Sequence, residues 1–380
     1  MGNKRQGAEP MQSNPHIDSA ASTEVQLSGV QKEYSRQVEA SYPGLKVAQD
    51  VTFDDIWTLL LDSGFLYPEK VARLEPVLPD IQQTVRKLLL ANGNLMATAV
   101  IRNEKILEAH MSILRWCEQT WIVQHLAALP MSARRLCASA QLTLGFTQYG
   151  QLRPDIVWNK MYFRPNNLWP ARVFGGYAKR VNDPATSDLR TFHYLVAPTA
   201  GSSPKLPAGI EVRTGTQEDK VMIEDWFTAR GRTVEVQANQ YQASCNGLEK
   251  LSREYEQAGL LRRRESIIAQ RNGQVMGFAL LEIASLGMNF SELTNSFTVH
   301  LMDEADAETR LALIEAAKRR YAEFGRAQCI ALEESENLSA YEDAGFSMVK
   351  DYTCWTFHRE HLFGMEQFFR ALFARRRKSE

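Results

Sequence analysis

Two periods of apolar residues alternate along this chain, and the switch from one to the other marks out its elements. From Ser266 to Ala284, two apolar runs flank Asn272-Gly273. That dipeptide favours positive φ and a tight turn, so the pattern predicts a β-hairpin. A third strand is expected at Asn295–Leu301, a helix at Asp306–Phe324, a short buried strand at Gln328–Leu332, and two strand-like pieces ending at Thr356. Ahead of the hairpin, Gly209–Arg213 alternates like a strand. Val221, Met222, Ile223, Trp226 and Phe227 then recur as on an amphipathic helix, and Ser252–Ala258 reads as a second helix.

Much the same order stands upstream. A strand near Leu45–Ala48 leads to a helix at Phe53–Asp62 and a longer helical stretch, Pro68–Leu90, broken near Pro76 and Pro79. Strands follow at Asn94–Arg102 and Lys105–Arg115. Trp121–Leu129 is nearly all apolar and predicts a buried central strand. Ser132–Phe146 reads as a helix with Ser132 as its N-cap. Ile156–Phe163 is a strand, Trp169–Val181 a helix and Leu189–Ala197 a final strand. Thr199–Gly209, rich in Gly, Pro and Ser, separates the two series as a linker.

The segment Asn337-Leu338-Ser339-Ala340-Tyr341-Glu342-Asp343-Ala344-Gly345-Phe346 follows the buried strand of the second series. With that element order and its Tyr-Glu-x-x-Gly-Phe run, the last third of the chain resembles the second half of a GNAT-type N-acetyltransferase domain. The resemblance extends over about residues 209–357. Residues 45–198 look like a second, more diverged copy on element order alone. The expected class is therefore α/β with mixed sheets, two GNAT-like domains in tandem. The expected division is a flexible tail at 1–40, a diverged domain at 41–198, a linker at 199–208, and a clearer domain at 209–380 that ends in a helix.

Composition narrows the function classes. A length of 380 residues suits two ordinary domains, and 44% hydrophobic with 23% charged residues is globular composition. A net charge of −1 gives no field for nucleic acid or an anionic membrane. The five cysteines are scattered without ligand spacing, which reads as reduced thiols of a cytoplasmic protein with no metal. No apolar run reaches the roughly 18 residues a membrane span needs. Residues 1–40 are too polar to bury much surface, although part of Glu24–Glu39 has helical character. Phe368, Phe369, Leu372 and Phe373 recur at helical spacing before Arg375-Arg376-Arg377-Lys378. A terminal helix packed on its own domain is the first expectation there. The tail and this basic helix are the expected places for any protein partner.

The resemblance implies acetyl-coenzyme A or another acyl-coenzyme A as co-substrate, its pyrophosphate at the N-terminus of the helix after the central strand. In the second unit that loop is Met302–Arg310, with four carboxylates and no glycine, and Asp303, Glu304 and Asp306 are expected to repel a pyrophosphate. In the first unit the loop is Ala127–Arg135. Its Ser132, Arg134 and Arg135 are the cofactor-binding candidates. Tyr341 matches the family's proton-donating Tyr. Glu282, His300 and His125 are the leading candidate general bases, and Glu292 and His110 are further candidates on or near the central strands. Two more features carry arginine. Arg262-Arg263-Arg264 is either a phosphate grip or a charged strand edge. The Tyr162–Arg172 loop is either a pocket wall or a rigid proline-pinned turn. The leading expectation is acyl transfer from acyl-coenzyme A to an amine on a small molecule or protein. The alternative is a catalytically silent GNAT-like scaffold or ligand sensor. A Fem-type aminoacyl transferase is disfavoured by the neutral charge.

Overall fold

The computed structural model describes residues 29–42, 44–47, 51–91, 93–129, 132–200, 208–303 and 306–377, with backbone alone for 29–30, 132–137 and 375–377. Among them, twelve strands form one sheet. The strands are β1 (Leu45–Val47), β2 (Met96–Asn103), β3 (Ile106–Cys117), β4 (Thr120–Ala128), β5 (Trp158–Phe163), β6 (Ser187–Pro198), β7 (Ile210–Thr214), β8 (Arg262–Arg271), β9 (Gln274–Ala284), β10 (Ser296–Leu301), β11 (Gln328–Glu333) and β12 (Ser347–His358). The helices are α1 (Gly29–Ser41), α2 (Phe53–Asp62), α3 (Pro68–Leu74), α4 (Leu78–Leu90), α5 (Ser132–Leu152), α6 (Leu168–Pro170), α7 (Gly176–Val181), α8 (Gln217–Ala229), α9 (Thr233–Asn239), α10 (Gly247–Gln257), α11 (Ala307–Glu323), α12 (Ser339–Asp343) and α13 (His361–Arg377).

The fold is a tandem one, and its repeat is visible in the pairing. In the first half β4 runs parallel to β5, with α5 between them in sequence; in the second half β10 runs parallel to β11, with α11 between. The other neighbouring strands pair antiparallel. Asn272 and Gly273 both have positive φ, 52° and 78°, and close the β8–β9 hairpin that their identity predicts.

The two units do not keep separate sheets, as the sequence order had suggested. The strand order is β1-β2-β3-β4-β5-β12-β6-β11-β10-β9-β8-β7. The last strand of each half has changed places: β12 lies between β5 and β6, and β6 pairs with β11. A pattern of apolar residues states that a strand is buried but not which neighbour it pairs with. The terminal helix follows the exchange. Leu362, Met365 and Phe369 of α13 enter the core with Leu142, Phe146 and Tyr149 of α5, so α13 packs on the first unit and not on the unit it follows in sequence. Nor does the expected tail extend to residue 40. From Gly29 the chain is helix α1, whose Val38 is buried in the same core, while residues 1–28 lie outside the described residues.

Helices cover both faces. Over the first unit, α1, α5 and α13 sit on one face, and α2, α3 and α4 on the other. Over the second, α11 and α12 cover one face, and α8 and α9 the other. Among the described residues no helix is long and apolar enough to cross a membrane.

Candidate functional site

The parallel pair of the first unit is short. β4 and β5 are in register only from Thr120↔Trp158 to Val123↔Met161. Beyond Val123 the strands diverge, and β4 loses its partner on that edge. A bulge adds to the divergence. On β3, His110 and Ser112 are two residues apart, but their partners Ala127 and Gln124 on β4 are three apart. The extra residue brings His125 to φ 56°, a left-handed conformation uncommon for a non-glycine side chain.

The splay opens a groove of about 550 Å³, within the usual size of a small-molecule site. Val123–Ala128 of β4 and Met161–Phe163 of β5 line its two sides. Apolar Phe65, Trp169 and Phe174 and polar Tyr67, Lys70, Arg164 and Asn167 complete the walls. The second half of the chain also reaches in, through Asn289, Ser291 and Leu293 before β10 and Lys350 and Tyr352 on β12. The strand exchange is what delivers Lys350 and Tyr352. The Tyr162–Arg172 loop thus forms one wall through Tyr162, Phe163, Arg164, Asn167, Trp169 and Pro170.

Among the described residues, no carboxylate lines this groove. Its floor is a polar cluster around Ser291. Tyr352 donates to Ser291 Oγ at 3.0 Å, Lys70 Nζ donates to the same atom at 3.3 Å, and Tyr194 donates to the Ser291 carbonyl at 2.8 Å. Lys350 Nζ donates to Tyr67 Oη at 3.2 Å. Burial, with Lys350 and Arg73 nearby, pulls the Lys70 ammonium down to about 7. Burial, with Arg73 and Arg164 nearby, pulls Lys350 down to about 8.

Of the four leading residues that the sequence offered for catalysis, His125 alone lines the groove. Its ring stacks on Phe290 at 4.3 Å, and its Nε2 accepts from the Phe290 N–H at 3.3 Å. Nδ1 then carries the proton and faces Ser112 Oγ at 3.4 Å. Burial holds the imidazole neutral. With both nitrogens engaged, His125 fastens the bulge to the 284–295 loop. His110, beneath it, donates Nδ1–H to the His125 carbonyl at 3.2 Å.

The other three belong to the second unit's interior. Glu282 is clamped by Arg262 at 2.7 Å and Arg264 at 2.6 Å, and lines a separate cavity of about 100 Å³ between the units. The three-arginine run is therefore neither a free phosphate grip nor a bare edge: Arg262 and Arg264 are consumed by Glu282, and Arg263 pairs with Glu265. His300 is packed among Trp226, Phe227 and Phe278, with Nε2 at 2.8 Å from Thr298 Oγ1. Tyr341 is fully buried beside Glu333 and Arg310, which raise and lower its phenol respectively after burial has pushed it well up.

The second unit's parallel pair is shorter still, only Ser296↔Ile330 and Phe297↔Ala331. Ser296 and Thr298 of β10 and Leu332 of β11 line the cavity of about 100 Å³ described above. Arg310 and Glu333, both buried, pair at 2.8 Å. The carbonyl of Leu301 is held by Trp226 Nε1 at 3.0 Å. Asp306 caps α11 by accepting from the Thr309 N–H at 2.9 Å, so a carboxylate already sits where an anion would bind. Glu304 lies outside the described residues. In the first unit, α5 starts at Ser132, four residues past Ala128 at the end of β4, but the side chains of Ser132, Arg134 and Arg135 lie outside the described residues.

Lys70, Tyr67, Ser291, Lys350 and Tyr352 escaped the sequence reading. They stand on α3, on a loop and on β12, and only the tertiary fold and the exchanged strand gather them.

No family model matches the chain, and no curated protein sequence does. Solved structures do resemble it. A Drosophila protein is 15% identical, with 83% of this chain and 98% of that one covered and a TM-score of 0.49. A tandem GNAT protein from the clavulanic acid biosynthesis pathway is 13% identical, over 74% and 95% of the two chains, with a TM-score of 0.40. A GCN5-related N-acetyltransferase from Sphaerobacter thermophilus is 14% identical, over 70% and 81%, with a TM-score of 0.41. The likeness is one of overall architecture; the groove's own geometry bears on function.

Proposed function

We propose that this chain is an acyltransferase whose first-unit groove takes an acyl-coenzyme A and passes the acyl group to an amine. The observation that carries the reading is the splay at Val123↔Met161, which bares the edge of β4 along a groove of suitable size. A bared strand edge offers N–H and C=O groups in a row to an extended amide-containing arm. Arg164 in the groove wall, and the lack of a carboxylate in the lining among the described residues, suit a polyanionic donor. The start of α5, with Ser132, Arg134 and Arg135, would hold the pyrophosphate against the positive end of the helix dipole.

In the transfer, the amine nitrogen bonds to the thioester carbon and the carbon–sulfur bond breaks. The amine loses one proton and the departing thiolate gains one. Tyr67 is placed to supply the second, because its oxygen accepts from Lys350 and its own proton has no acceptor among the described residues; the proton shed by the amine then restores the Tyr67 hydroxyl. The acceptor enters as a free amine, since His125 has no unoccupied nitrogen to serve as base.

That engagement of both His125 nitrogens favours a second reading, a silent ligand-sensing protein. Titrating acetyl-coenzyme A into the full chain by calorimetry, then following free-thiol release with a panel of amines, separates the two. Binding with amine-dependent thiol release supports transfer. Binding without release under any amine leaves the sensor, and no binding removes both.

A further inference from the structure

A buried charge is normally paired, because an unpaired one costs several kcal/mol. The floor of the groove breaks that rule twice. Lys70 is 4% exposed and Lys350 8% exposed, yet among the described residues neither ammonium has a carboxylate partner. Lys70 Nζ has only a hydroxyl, Ser291 Oγ, and the face of Phe65 at 4.4 Å. Lys350 Nζ has the Tyr67 hydroxyl and lies over the rings of Tyr194 at 5.0 Å and Tyr352 at 5.1 Å. The groups facing them add to the imbalance. Arg73 faces both lysines and Arg164 faces Lys350. The acid facing Lys70 is Glu292, whose two oxygens already accept from the Gly287 N–H at 3.0 Å and from Asn295 Nδ2 at 2.7 Å. Both lysines flank one residue, Ser291: Lys70 directly, Lys350 across Tyr352 and Tyr194, whose hydroxyls bond Ser291.

Two ammonium groups held by hydroxyls and ring faces around one point, at the end of an apolar groove, form an incomplete anion site. What they lack is a compact anion with two oxygens. We infer that the acyl acceptor is an amine that also carries a carboxylate, and that Lys70 and Lys350 hold that carboxylate at the groove floor while its amine faces the thioester. The acceptor role rests on the acyltransfer reading above; the anion site itself does not.

The probe is benzoate, small enough for the apolar walls, against its neutral isostere benzamide. Both are titrated by calorimetry into the full-length protein, alone and after saturation with acetyl-coenzyme A. Benzoate should bind about tenfold or more tighter than benzamide, as charge-assisted hydrogen bonds to two cations require. The preference should fall away in Lys70→Met and in Lys350→Met, neither of which is expected to harm folding, because each removes an unpaired buried charge. If one of the two folds poorly, the other carries the same discrimination. Benzoate binding no tighter than benzamide, or with its preference intact in both variants, overturns the anion site. Benzoate displaced by acetyl-coenzyme A assigns the lysines to the donor's phosphates and overturns the acceptor assignment. Benzoate binding beside bound acetyl-coenzyme A supports it. If benzoate binds but acetyl-coenzyme A does not, the acyltransferase reading fails, the acceptor role fails with it, and the anion site stands.

Discussion

The chain places its costs at a few side chains. Glu282 and its two arginines make one closed charge cluster, while Lys70 and Lys350 make an open one. Glu282→Gln should leave two buried guanidinium groups short of a partner and destabilise the protein by about 3–5 kcal/mol in denaturant unfolding. A variant that loses acyl transfer with its stability unchanged would instead make Glu282 a catalytic base. The lysines give a pH signature of opposite character. Lys70 is depressed from its ordinary 10.5 to about 7 in the folded state. Above about pH 7 the folded protein sheds this proton while the unfolded chain keeps it, so stability rises with pH until the unfolded lysine also titrates near pH 10, by at most about 1.4 kcal/mol per pH unit. The charge penalty is fully present below pH 7. In the absence of carboxylate buffers, the stability advantage of Lys70→Met over the wild type should therefore be greatest at pH 6 to 7 and should shrink towards pH 9. An advantage that does not change with pH would mean that Lys70 is not held at the depressed value.

At the scale of elements, strands and helices were largely legible because their periods are. The Asn272-Gly273 turn, the apolar run of β4 and the amphipathic face of α8 each declared themselves. Other features did not. The bulge at His125 depends on a one-residue mismatch between two strands, and no residue in β4 signals it. Trp169–Val181, expected as one helix, is α6 and α7 joined by a π turn at Ala171–Gly175. The short helix α9 also went unread: its seven residues hold too little pattern to stand out. The acidic start of α11 was legible in sign, and Asp306 caps the helix. Asp306→Ala should cost about 1 kcal/mol, the usual worth of such a cap, measured by thermal or chemical unfolding. With Asp303 and Glu308 still beside the start of α11, this variant should bind no additional acetyl-coenzyme A. A second binding event would show that the cap carboxylate alone had closed that site.

Over the whole molecule, the exchanged strands decide how the units depend on one another. β12 pairs with β5 of the first unit, and α13 packs on α5, so the first unit is incomplete without the last thirty residues or so of the chain. Neither residues 29–200 nor residues 208–377 should fold alone as a monomer, and the intact chain should unfold in a single calorimetric transition. Two separable transitions would show units that stand independently. The tandem order was readable from sequence, but the exchange was not, because a strand's composition does not name its partner. The candidate site suffered most from this. His125 lay within reach of a reader of the sequence. Lys70, Ser291 and Lys350 are far apart in the chain and meet only through the fold.

The central claim is that a ligand arm lies along the bared edge of β4 and not along β10. Amide hydrogen exchange of the full-length protein, with and without acetyl-coenzyme A, reads both edges in one experiment. Protection is expected to rise at residues 124–129 and 161–164 while 298–303 stay unchanged. Protection confined to 298–303, or none at either edge, would contradict the account.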